Sequence, residues 1–80
     1  MTLREAYYRK GRELAAKHLK AEEHSIVSFN ALDHASPQSR LLREAATEGL
    51  LLGFIDEAAR RGWRYRFESG VEVICWVPRK

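Results

Sequence analysis

Near the C-terminal end of the chain, Arg64, Arg66, Ile74 and Trp76 stand at alternate positions of two short runs, Trp63-Arg-Tyr-Arg-Phe67 and Val71-Glu-Val-Ile-Cys-Trp-Val77. An arginine neutralises carboxylate or phosphate and stacks on planar groups, and a tryptophan offers a large rigid surface. Both residue types are over-represented where proteins bind one another, and both also serve nucleic-acid binding by stacking on bases. These four residues form the candidate partner-binding set.

A second set is basic. Arg9, Lys10, Lys17 and Lys20 share one side of a helical wheel and are the candidate phosphate-contacting residues. Glu13 lies in the middle of that stripe and would repel phosphate. Glu5 with Arg9, and Glu13 with Lys17, are spaced four apart with the acid first, the favourable order for ion pairs along a helix. The expectation is that these pairs form and leave Arg4, Lys10, Arg12 and Lys20 uncompensated.

Catalytic chemistry is hard to build from what remains. His18, His24 and His34, with Glu22, Glu23 and Asp33, follow no metal-ligand spacing, so no metal site is expected. Cys75 lies within an apolar run, where a thiol behaves as a small hydrophobe of raised pKa and not as a nucleophile. No nucleophile elbow, phosphate loop or dinucleotide fingerprint occurs, and Gly49-x-x-x-Gly53 lacks the lysine and strand of a phosphate loop. No catalytic residue, cofactor or enzymatic activity is expected.

The elements that must position these residues follow from period and punctuation. Thr2 caps a first helix, placed at 3–20, whose apolar face (Leu3, Tyr7, Leu14, Ala15, His18) also contains Gly11, the mark of a closely approaching neighbour or of a helix break. Ser36 as cap, Pro37 at the first helical position and Gly62 just past the end place a second helix at 37–61. Its apolar stripe runs along Leu41, Leu42, Ala45, Ala46 and Gly49, then moves almost to the opposite side with Leu51, Phe54, Ile55 and Ala58. The middle is apolar all round and must therefore be buried on both sides. Gly49, Leu50, Gly53 and Phe54 are the candidates for close helix packing or for an oligomer interface. Ser25 to Leu32 reads as a short strand. The alternation at 63–77 around Glu68-Ser69-Gly70 reads as a β-hairpin, with Trp63, Tyr65 and Phe67 facing inward beside Val71, Val73 and Cys75, and with Arg66 opposite Glu72.

Eighty residues make a single small domain, 1–80, which buries only about 60% of its unfolded surface and so favours association. Its 45% apolar and 31% charged residues fit a globular chain, and one cysteine allows no internal disulfide. The run Gly49–Ile55 spans seven residues, far short of the ~20 that cross a bilayer, and the first twenty residues carry no signal-type apolar stretch. The net charge of +3 lies at the ends: residues 1–20 hold six basic and two acidic groups, whereas residues 21–35 hold three acidic groups and no basic one.

The sequence therefore predicts an α+β fold in which two helices pack with a C-terminal hairpin whose aromatic face covers the second helix. The expected function is that of a cytoplasmic, non-enzymatic regulator, inhibitor or adaptor, in a size class common among accessory proteins of phages and mobile elements. It would act on a protein partner through Arg64, Arg66, Ile74 and Trp76, as a homodimer joined at the middle of the second helix and without membrane contact. The alternative is a nucleic-acid binder using the first helix together with the hairpin face.

Overall fold

The computed structural model describes residues 2–20, 25–37 and 39–78, and the element order is α1 (Leu3–His18), β1 (Ile26–Asn30), a 3-10 turn (Ala31–Asp33), α2 (Arg40–Arg60), β2 (Arg64–Phe67) and β3 (Glu72–Trp76). The α+β expectation holds. The three strands form one antiparallel sheet in the order β1-β3-β2, so β3, the last strand in the chain, is its centre.

Capping side chains set the helix ends. Thr2 Oγ1 accepts from the Glu5 amide at 3.2 Å, as the sequence suggests. At α2 the expected cap is three residues early: Ser39 Oγ, not Ser36, accepts from the Leu42 amide at 3.2 Å, and Pro37 lies in the approach to the helix. Either serine offers the same cap chemistry, and only the later one lets the chain leave the 3-10 turn before the helix begins. Gly62, at φ +83, ends α2 as expected.

α1 and α2 run parallel, as the ladder Arg4–Glu48, Tyr8–Asp56 and Arg12–Glu57 requires. α1 is unbroken at Gly11. A Cβ there would collide with the backbone of Leu50, one at Gly49 with the Arg4 carbonyl, and one at Gly53 with the Tyr8 carbonyl. Three glycines thus let two helix backbones touch, and Gly49, Leu50, Gly53 and Phe54 are buried inside one chain. The oligomer interface expected at these residues is filled by α1 and by the sheet, so a homodimer has to use another surface.

The seam is also charged. The pairs expected along α1, Glu5 with Arg9 and Glu13 with Lys17, are not among the ion pairs of the described residues. Arg4 instead binds Glu48 at 2.8 Å, and Arg12 reaches Glu57 at 3.3 Å. Glu57 collects Arg12, Arg60 and Arg61. The hydrogen bond from Arg61 contributes most to holding its carboxyl below the ordinary range, with Arg12 and Arg60 adding to it against the opposing effect of burial. Tyr8 donates to Asp56, and that bond is the main reason its hydroxyl titrates above the usual tyrosine value.

Behind α2 the sheet closes the core. Phe29 of β1 stacks on Phe54 with ring centres 4.1 Å apart, among buried Ala15, Leu19, Leu50, Val73 and Cys75. The predicted early stripe of α2 is buried only in its later part: Ala46 and Gly49 are buried, whereas Leu41 is 78% exposed and Leu42 is also exposed.

Candidate functional site

Register sorts the side chains of the sheet into two faces. Val27, Tyr65 and Cys75 align in one row and Phe29, Phe67 and Val73 in the next, all toward the helices. Ile26, Trp76 and Arg64 form the matching row on the opposite face, followed by Ser28, Ile74 and Arg66. The predicted separation of arginines from the inner aromatics is therefore correct, but the hairpin is shifted by two residues, which keeps the faces. Arg66 lies opposite Ile74 and not Glu72, because a longer turn leaves Phe67 paired with Val73. Arg66 turns to Glu68, with Nε to Oε1 at 2.9 Å, and Glu72 instead accepts from Ser28 Oγ at 2.9 Å.

The aromatic face also covers less of α2 than expected. Trp63, Val73 and Cys75 are buried, whereas Tyr65 and Phe67 remain 42% and 54% exposed and meet each other edge to face, since β2 is the outer strand of the sheet.

On the face turned away from the helices, Ile26, Ile74, Trp76 and Arg66 line a groove of about 420 Å³. An antiparallel sheet with one face on the core is ordinarily polar on the other. Here Ile26 is 77% exposed beside half-buried Ile74 and Trp76. Arg64 flanks Trp76 across the strand and makes no ion pair among the described residues. Arg64, Arg66, Ile74 and Trp76 are thus brought together as the sequence proposes. Ile26 is the residue that sequence reasoning missed: alternation within Ser25–Leu32 marks it as one face of a strand, but nothing local says that β1 joins β3.

The basic set is not brought to this place. Arg9, Lys10 and Lys17 are exposed on α1, which packs on α2 on the helical side of the sheet, and Lys20 is exposed past the end of α1, which stops at His18 and not at the expected residue 20. Lys10 reaches the His34 carbonyl at 3.4 Å and lies over the Tyr7 ring, so its charge is partly engaged within the chain. Of the histidines, His18 is exposed near the β1 edge and His34 stacks on Phe29; His24, like Glu22 and Glu23, lies outside the described residues. No group of three or more metal-ligating side chains occurs among the described residues. Burial pushes the Cys75 thiol up to about 11, which keeps it protonated at neutral pH and a poor nucleophile.

A second concavity, about 370 Å³, lies between the 3-10 turn, the start of α2 and the hairpin loop, with Leu32, Arg43, Thr47, Leu51 and Val71 in its wall. Among the described residues the Thr47 hydroxyl is buried without a hydrogen-bond partner. No helix of the described residues is long and apolar enough to cross a membrane. Compared with protein-family models, curated proteins and solved structures, the chain matches none of them.

Proposed function

We propose that the protein is a small non-enzymatic binding module, a regulator, inhibitor or adaptor, that works as a homodimer and engages a protein partner through the open face of its sheet. One observation carries this reading: apolar Ile26, Ile74 and Trp76 are gathered on the sheet face that no helix covers, around a groove. Covering a side chain of this size is worth about 1.5–3 kcal/mol, and a tryptophan beside arginines is the usual composition of a binding hot spot. Arg64 has no acid paired with it among the described residues, so the complementary partner surface is apolar with a carboxylate at its margin.

The nucleic-acid alternative would need Trp76 and the α1 cations on one surface, and they lie on different sides of the sheet. A direct test is fluorescence anisotropy of mixed-sequence duplex and single-stranded DNA and RNA at several salt concentrations, run beside affinity capture on immobilised wild type and Trp76→Ala. The protein-partner reading expects a bound protein that the variant loses and no salt-steep nucleic-acid binding. Micromolar nucleic-acid affinity falling steeply with salt would replace it with the alternative.

A further inference from the structure

The sheet has two outer strands, and their free edges differ. Ala31 N donates to Val71 O at 2.8 Å, and Val77 N donates to Ser25 O at 3.3 Å. In an antiparallel ladder hydrogen-bonded pairs alternate along the strand. The odd-numbered residues of β1 therefore bond β3, and the N–H and C=O groups of Ile26 and Ser28 point away from the sheet. By the same alternation Glu68 N bonds Glu72 O at 3.0 Å, and the outward groups of β2 belong to Tyr65 and Phe67. Among the described residues no backbone or side-chain hydrogen bond reaches the backbone of Ile26 or Ser28.

Natural sheets guard such edges with charges, proline, bulges or cover. β2 is guarded: it has only four residues and carries Arg64 and Arg66. Pairing β2 with another β2 in the registers that overlap most of the strand sets arginine against arginine, which is unfavourable. β1 has no guard. Ile26-Val-Ser-Phe-Asn30 contains neither charge nor proline and pairs with β3 without a bulge. A groove of about 360 Å³ runs beside it, lined in part by His18, Val27, His34 and Phe54, and this gives an incoming strand room on the helical side.

We propose that the occupant of this edge is a second copy of the chain, its β1 antiparallel to the first with Ser28 opposite Ser28. The inference rests on the dimeric part of the reading above and names the surface that makes the dimer. The β1 sequence is complementary to itself in this register. The two Ser28 residues exchange N–H to C=O bonds, Val27 faces Phe29 of the second copy on the inner side, an aromatic with β-branched pair of the favourable kind, and Ile26 faces Asn30 on the outer side. The two-fold symmetry is the commonest among oligomers. Two sheets of three strands become one of six. Both open faces then lie on the same side of it, so each dimer presents two copies of the Ile26–Ile74–Trp76 groove side by side.

Sedimentation equilibrium from low micromolar to near-millimolar protein, with amide hydrogen exchange on the same samples, tests this. The wild type should dimerise, and the Ile26 and Ser28 amides should become slow to exchange as it does, while Val27 and Phe29 are slow throughout. Ser28→Pro removes an N–H that the monomer does not use, at a position already extended, and should weaken the dimer by about a hundredfold, the worth of two hydrogen bonds, with an unchanged circular dichroism spectrum. If the proline variant does not fold, Ser28→Lys, which sets two like charges directly opposite each other across the joined edge at an exposed position, should weaken the dimer in the same direction. A dimer that tolerates the folded variants, or in which Ile26 and Ser28 still exchange fast, overturns the β1 interface and leaves the homodimer standing elsewhere. A monomer at every concentration overturns both.

Discussion

The α1–α2 seam and the open face of the sheet both carry arginines and end in opposite conditions. In the seam three glycines bring backbone against backbone, and Arg4, Tyr8 and Arg12 each find an acceptor on α2. On the open face Ile26, Ile74 and Trp76 meet one another only at a groove, and Arg64 finds no carboxylate among the described residues. The first region is satisfied among the described residues and the second is not, so the seam carries stability and the proposal assigns recognition to the open face. Substitutions in the seam should cost stability, and substitutions on the face should cost binding.

The largest effect is expected at Gly53. Gly53→Ala drives a Cβ into the Tyr8 carbonyl and should destabilise by about 3 kcal/mol, the upper range for overpacking, lowering Tm by more than about 10 °C. A thermal melt within 2–3 °C of wild type, against the shift of about 4–8 °C that each kcal/mol gives in a domain this small, would show that the helices do not meet so closely. Trp76→Ala, by contrast, should change stability by less than about 1 kcal/mol while reducing partner affinity at least tenfold, as hot-spot truncations do. Calorimetry and a binding titration on one sample separate these, and a large stability loss would move Trp76 into the core.

A pH-dependent effect comes next. The folded-state pKa of Glu57 is depressed, so its contribution to stability is present above the ordinary glutamate value of about 4.3 and disappears as the pH falls through the lower folded value. Glu57→Gln should therefore melt below wild type at pH 7 and converge with it in acid; parallel curves at all pH values would remove the three-arginine cluster from the account of the seam. The smallest effect is expected at Thr47→Val, which replaces a buried unpaired hydroxyl by a methyl and should be neutral or stabilising by up to about 1 kcal/mol. A clear loss of stability would mean that the hydroxyl has a partner after all.

Much of this division was legible in the chain. The all-round apolar centre of α2 required two covers, Gly11 allowed a close neighbour or a helix break, and strict alternation at 63–67 placed the arginines on one face and the aromatics on the other. What could not be read was long-range pairing. Ser36 and Ser39 are equivalent caps until the preceding turn is built. The shift that takes Arg66 from Glu72 to Ile74 depends on turn length, and local charge attraction argued for the wrong register. Glu5 and Glu13 had suitably spaced cations on their own helix, yet the ion pairs of α1 run from Arg4 and Arg12 to acids on another helix. Ile26 joined the candidate site only because β1 pairs with β3, a contact between segments about fifty residues apart.

The parallel course of the two helices has a kinetic side. Antiparallel helices joined by a short turn can meet as soon as the second one forms, but the ties Arg4–Glu48, Tyr8–Asp56 and Arg12–Glu57 span 44, 48 and 45 residues. α1 therefore leaves the ribosome with its glycine face bare and no mate until most of the chain has followed. Closing loops of that length before any tertiary gain puts the protein among slow folders for its size and helix content. The uncovered α1 during that interval is the state a chaperone would meet.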